Sequence, residues 1–229
     1  MTKHESTSAR PDVSPTLPWS FPEARRSEIG NGLGVVSYDI PGQYVISVRL
    51  AVPISLVLEP RELEGIGTIM ARTLDEGTAR HTAEEFAELL ERKGIALGAG
   101  VSESGLIVDI DVPKRNLSAA LDLLSQAVRE PAFFADEVSR HVKIRLAEID
   151  QERAQPGQRA AIEFIATYLD TEELASRQTE GVRDTVSAIS PQDQVTFQAA
   201  NVMTSAPTRG DSGHRMDMAV VSLVQDDAG

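Results

Sequence analysis

The sequence contains no cysteine, few aromatic residues and no long apolar run. The absence of cysteine excludes disulfides and thiolate metal sites. Aromatic residues make up only 4% of the chain, so a core must be built mainly from aliphatic side chains. No segment approaches the about eighteen consecutive apolar residues of a membrane span, and we expect no membrane partner. Residues 1–20 lack the apolar stretch of a signal peptide, which favours a cytoplasmic location.

Basic residues are fewer than acidic ones in this sequence. There are 22 lysines and arginines against 35 aspartates and glutamates, which gives a net charge of −13. Nucleic acid and anionic lipid would be repelled by this charge, and we expect neither as a partner. The charge is compatible with a basic peptide, although an acidic surface also serves solubility.

The pattern of apolar residues predicts an α+β domain over residues 25–203, with an antiparallel sheet covered by helices. Residues 1–24 are rich in serine, threonine and proline and are expected to form a disordered lead. Residues 204–229 are expected to be a divergent or loosely ordered tail. The only strand-like run in that tail is Met218–Val224.

Strands are predicted before the helices. Tyr44–Val52 alternates between polar and apolar positions, with its apolar face on Ile46, Val48 and Leu50. Two further strand-like runs, Ile95–Val101 and Leu106–Val112, are separated by Ser104-Gly105, a plausible hairpin turn.

Helical periodicity begins near Glu62, and Gly77 is the predicted C-cap of the first helix. The second helix has the clearest start signal, because Thr82 and Glu85 form a capping box, and Gly94 ends it. Later helices are predicted to end at Pro131 and near Pro156-Gly157, and others lie around 158–170 and 191–200, the last with Ser190 as its N-cap.

Three stretches of the sequence carry a family resemblance. They are NGLGVV at 31–36, GIGTIMARTLDEGT at 65–78 and RLAEI at 145–149. In this order and spacing, over about residues 28–200, they resemble the amino-terminal half of an insulinase/pitrilysin-type (inverzincin) metallopeptidase. The resemblance implies the α+β half-shell domain of that family.

The resemblance also implies where a zinc site would lie. In the family's inverted H-x-x-E-H helix, two histidines four residues apart bind zinc and the glutamate between them is the general base. A glutamate from a distant helix is the third ligand. The histidine positions correspond to Thr68 and Arg72, the base to Ala71, and the distant glutamate to Glu148. The resemblance therefore implies no catalytic residue and no metal, with zinc expected only if this assignment is wrong.

Two hypotheses follow for the altered site. Arg72 could fill the vacated metal position and pair with Glu148, since a guanidinium suits carboxylate geometry; alternatively, both are ordinary surface charges. Separately, His141 and Glu148 lie seven residues apart on one predicted helix and could contribute two ligands to an unrelated metal site. No third ligand stands at a fixed spacing, so a solvated helix face is the favoured interpretation.

The resemblance implies a catalytically inactive homologue that pairs with an active zinc metallopeptidase subunit, or with itself, to bind peptide. One alternative is a structural or assembly subunit without a protease partner. Another is an active zinc metallopeptidase with a non-standard ligand set.

Overall fold

One six-stranded sheet forms a layer of the fold. The structure is a computed structural model that describes residues 15–16, 18, 20–29, 33–54, 56–102, 105–169 and 173–202, and the backbone of 217–221. The strands are β1 (Ala24–Glu28), β2 (Gly34–Tyr38), β3 (Val45–Val52), β4 (Ala96–Ser102), β5 (Gly105–Pro113) and β6 (Asp217–Val221). Their order is β1-β2-β6-β3-β5-β4, and β2–β6 is the parallel pair among these antiparallel neighbours.

The alternating run in β3 folds as its sequence predicts. Ile46, Val48 and Leu50 are buried on one face, and Arg49 is exposed on the other. Val48 pairs with Ile110 of β5, so the buried faces of the two strands coincide. Successive side chains of a strand point to opposite faces, and one apolar face therefore meets the helices.

Seven α-helices are found in the described part of the chain. They are α1 (Ile66–Thr73), α2 (Ala83–Lys93), α3 (Leu117–Arg129), α4 (Ala135–Ala154), α5 (Pro156–Tyr168), α6 (Arg183–Ala188) and α7 (Pro191–Asn201). Helix α1 packs between the sheet strands β4 and β5 and helix α4. The predicted α+β architecture is confirmed. None of the described helices combines the length and apolar character that crossing a bilayer requires.

Local capping signals placed two helix starts correctly. Glu85 N–H donates to Thr82 Oγ1 at 3.2 Å, and Thr82 N–H donates to Glu85 Oε2 at 2.9 Å. Gly94 ends α2 in the left-handed conformation, with φ +63°. Ser190 caps α7 by accepting from the N–H of Asp193.

The end of α1 was predicted wrongly. Gly77 was expected to cap the helix, but α1 ends at Thr73 and Gly77 lies in the following turn with φ +101°. The carbonyl of Gly77 accepts from the N–H of Ala132, and the N–H of Ala79 donates to the carbonyl of Glu130. These distant backbone partners take the place of another helical turn.

Two strands of the sheet were not anticipated in their final places. Strand β1 starts at Ala24, the last residue assigned to the lead, and its ARRSE sequence has no apolar alternation. Strand β6 overlaps the strand-like run of the tail, starting one residue before it, and lies inside the sheet, parallel to β2 and antiparallel to β3. Ser104 of the expected hairpin turn lies outside the described residues, as do Asn31 and Gly32, the first two residues of the NGLGVV stretch.

Candidate functional site

Helix α1 carries the positions that sequence analysis singled out, and the sheet fixes its orientation. Its apolar stripe is fully buried: Ile66, Ile69, Met70 and Leu74 are each no more than 1% exposed. The opposite side of the helix faces α4. Thr68 and Arg72, four residues apart, lie on one side of α1, and Arg72 reaches Glu148 of α4.

A buried glutamate anchors the start of α1. Glu59 is 4% exposed and accepts hydrogen bonds from the N–H groups of Gly65 at 2.8 Å and Gly67 at 3.1 Å. Burial raises the pKa of the Glu59 carboxyl, and the two N–H donors partly offset that rise. A Cβ on Gly67 would lie 2.6 Å from Glu59 Oε1, so this cap requires glycine there. The role of Glu59 is not predictable from the sequence, because a capping residue six positions before Gly65 follows no local pattern.

Arg72 and Glu148 meet between α1 and α4. Arg72 Nη1 lies 2.9 Å from Glu148 Oε1, within the distance of a charge-assisted hydrogen bond. Both side chains are partly exposed, at 26% and 36%. The hydrogen bond from Arg72 lowers the pKa of the Glu148 carboxyl, and a second one from Arg145 lowers it further.

Arg145 of α4 is the buried centre of the same site. Its side chain is 3% exposed, and it binds Glu152 through Nη1 at 2.6 Å and Nη2 at 3.2 Å. Nη1 also lies 3.3 Å from Glu148 Oε2 and 3.1 Å from Glu180 Oε2. We call Arg72, Arg145, Glu148, Glu152 and Glu180 the ion-pair cluster. The cluster contains two guanidinium groups and three carboxylates, so one negative charge is not balanced by a positive one within it.

The other two predicted positions do not join the cluster. Thr68 Oγ1 donates to the carbonyl of Thr179 at 3.2 Å, and Ala71 is 2% exposed within the hydrophobic core. Gly65, with φ +92°, permits this close approach: a Cβ there would lie 2.8 Å from the carbonyl oxygen of Glu180. The contribution of Glu180 was also missed, because it depends on how the 179–181 segment packs on α1.

The lowered pKa of Glu148 predicts a pH dependence of stability. A carboxyl whose pKa falls on folding stabilises the fold above its unfolded pKa, and this stabilisation disappears as the pH drops through its folded value. Glu148 is partly exposed, so we expect it to contribute less than about 1 kcal/mol. In urea unfolding, the stability difference between wild type and Glu148→Gln should shrink from neutral pH toward pH values below the ordinary range of carboxyl pKa. A difference that stays constant with pH would contradict the pairing.

Comparison with known proteins identifies the family to which the chain belongs. The profile of Insulinase (Peptidase family M16) matches residues 34–181, more than half of the chain. The chain belongs to the insulinase family. The resemblance carried by the three sequence stretches is thereby confirmed.

Individual relatives agree with the family assignment. An uncharacterized zinc protease of Rickettsia felis is 23% identical over 171 residues, which cover 75% of this chain and 41% of that protein. A second, from Rickettsia bellii, is 24% identical over 57% of this chain and 32% of its own length. This insulinase-family chain thus spans less than half the length of these curated relatives.

Solved structures share the fold. A peptidase M16 inactive domain from Pseudomonas fluorescens superposes with a TM-score of 0.74 at 19% identity, covering 90% of this chain and 48% of that one. A protease from Helicobacter pylori gives the same TM-score of 0.74 at 19% identity, with 90% and 47% covered. The periplasmic protease PqqL from Escherichia coli also scores 0.74, at 17% identity, with 92% and 23% covered.

The residues of this insulinase-family chain do not fit the zinc centre that the family implies. Zinc prefers imidazole, thiolate and carboxylate donors, and the ion-pair cluster contains no imidazole or thiolate. The Arg72 guanidinium hydrogen-bonds the Glu148 oxygen that would have to bind the metal. Among the four positions that the resemblance assigns to the zinc site, Glu148 alone offers a suitable ligand atom.

Proposed function

We propose that this chain is a non-catalytic member of the insulinase family that binds peptide together with an active metallopeptidase subunit or with a second copy of itself. The observation that carries the proposal is the Arg72–Glu148 pair at 2.9 Å, with the buried Ala71 at the position that the resemblance assigns to the general base. A guanidinium repels a dication, and a methyl group cannot accept a proton from water. Zinc-dependent peptide hydrolysis therefore lacks both its metal and its base in this frame.

The description of one protein with the same fold agrees with the proposed inactivity. One protein of the same fold is described as an inactive domain, and this chain covers only 48% of it. Association with another subunit requires a surface of this chain that is apolar enough to hold it.

Helix α5 offers such a surface. None of its residues is buried, and it packs on α4. Phe164 and Tyr168 stack with ring centroids 5.3 Å apart, and they are 64% and 74% exposed. Ile165, 39% exposed, extends the same side of the helix. Exposed aromatic anchors of this kind are enriched in protein interfaces.

The sheet provides a second surface that suits an extended peptide. Strands β1 and β4 lie at its two edges. An edge strand can accept a peptide as an added strand through main-chain hydrogen bonds. The net charge of −13 favours a basic peptide over an acidic one as a partner of the whole chain.

Purification and a peptidase assay test this function. The chain alone should cleave no peptide, with or without added zinc, and should associate with itself or with a metallopeptidase that carries an intact H-x-x-E-H helix. Phe164→Ser/Tyr168→Ser should weaken that association in analytical ultracentrifugation, whereas Tyr44→Ser, an exposed aromatic residue before β3, should not. Zinc-dependent cleavage by the chain alone, abolished by Glu148→Gln, would contradict the proposal. Association with a partner that has no peptidase activity would favour the assembly alternative.

The cytoplasmic location stays a prediction that cell fractionation tests.

A further inference from the structure

A second cluster of charged side chains lies next to the ion-pair cluster but shares none of its residues. Glu76 follows α1, and Glu137, Arg140 and His141 lie in the first two turns of α4. We call these four residues the imidazole cluster. Glu137 and His141 are four residues apart, so both side chains project from one side of α4 toward Glu76.

The distances in the imidazole cluster are short. His141 Nε2 lies 2.9 Å from Glu76 Oε1, and the ligand atoms of Glu76, Glu137 and His141 all lie within 4.8 Å of one another. The three side chains are partly enclosed, with 13% of His141, 23% of Glu76 and 26% of Glu137 exposed. Sequence analysis found no third ligand to accompany His141, because Glu76 comes from a different element, 65 residues away.

Negative charges outnumber positive charges in and around the imidazole cluster, which favours the binding of a cation. Arg140 pairs with Glu76 and, at 2.7 Å, with Glu137, so one guanidinium serves two carboxylates. Asp75 adds a further acidic group that interacts electrostatically with Glu76, Arg140 and His141. Arg140 itself is 47% exposed, so its side chain can swing into solvent without leaving a cavity.

We propose that Glu76, Glu137 and His141 form a binding site for a divalent transition-metal ion of the zinc class, with Arg140 as the cation that competes for the same carboxylates. One imidazole and two carboxylates make a donor set that suits zinc, and a water molecule would complete four-coordination. A nitrogen donor disfavours calcium and magnesium, which prefer oxygen ligands. The bound ion would tie the segment after α1 to the start of α4. This site is independent of the proposed function, since it uses none of the family positions.

Titration calorimetry of tag-free, metal-stripped protein with zinc chloride tests the site. Wild type should bind one zinc ion, and His141→Ala should weaken the affinity at least about a hundredfold, the upper end of the loss seen when only a group supporting a ligand is removed. Arg140→Gln should strengthen binding by about tenfold or more, because it removes the competing charge. His81→Ala and Glu148→Gln are the matched controls and should bind zinc as wild type does.

Two outcomes would overturn the site. One is equal zinc affinity in wild type and His141→Ala. The other is an absence of binding in both wild type and Arg140→Gln, which would show that the imidazole cluster is complete as an ion-pair network. Circular dichroism checks that each variant is folded, and Glu137→Gln provides a second ligand variant should His141→Ala fail to fold. Zinc should also raise the melting temperature of wild type but not of the ligand variants.

Discussion

Replacing Arg145 with alanine should lower the free energy of unfolding by about 2–4 kcal/mol. The arginine is 3% exposed and lies within 3.3 Å of carboxylate oxygens of Glu148, Glu152 and Glu180. Removing one partner from a buried pair costs more than the pair contributes, because the remaining charges lose their compensation. The carboxylates left behind are 30–51% exposed and can regain some water, which keeps the loss below the largest values known for broken buried pairs.

Urea unfolding measures this loss, and an exposed pair provides the control. Arg49 Nε and Nη2 donate to the two carboxylate oxygens of Asp109 at 2.7 and 2.8 Å, but each of the two side chains is about half exposed. Arg49→Ala should therefore shift the urea midpoint much less than Arg145→Ala does. Arg145→Lys should recover part of the lost stability, because it retains the charge and loses the two-pronged contact with Glu152. Equal midpoints for Arg145→Ala and Arg49→Ala would contradict the central place of Arg145.

Restoring two histidines on α1 should create a zinc site that the wild-type cluster lacks. In Thr68→His/Arg72→His, two imidazoles four residues apart would face Glu148, and removal of Arg72 frees Glu148 Oε1. Three suitable ligands in place of one should raise the zinc affinity at this position by at least about a hundredfold, or about 2.7 kcal/mol. Glu148 Oε2 would stay hydrogen-bonded to Arg145, which orients the carboxylate.

Titration calorimetry in a His141→Ala background isolates this site from the imidazole cluster. Adding Glu148→Gln to the double variant is the matched control, and it should reverse the gain. A double variant that binds zinc no better than its parent would contradict the correspondence of Thr68, Arg72 and Glu148 with the family's ligand positions.

The elements that sequence reasoning placed well are those with local causes. The capping box of Thr82 and Glu85 needs only residues three apart, and the burial of Ile46, Val48 and Leu50 follows from alternation within one strand. The pairing of Arg72 with Glu148 was predicted from the spacing of the corresponding positions in the family. Their contact follows from the packing of α1 on α4. Such features are predictable because the local preference of the sequence and the tertiary packing favour the same structure.

The elements that were missed depend on distant parts of the chain. Gly77 does not cap α1, because the helix already ends at Thr73 and the segment after it pairs with the backbone of Glu130 and Ala132. Strand β6 enters the sheet between β2 and β3, a position that no pattern within residues 217–221 specifies. Glu180 and Glu76 reach their clusters from segments that are close only in space. In each case the decisive partner is a backbone or side-chain group that sequence spacing does not reveal.

We propose that the ion-pair cluster lies where the family resemblance implies a zinc centre, and that it binds no zinc. Anomalous diffraction at the zinc absorption edge, from crystals soaked in zinc chloride, tests it most directly. We predict no anomalous peak at Glu148, with the Arg72 guanidinium still hydrogen-bonded to its carboxylate. A peak within about 2.2 Å of a Glu148 oxygen, with Arg72 displaced, would contradict the claim.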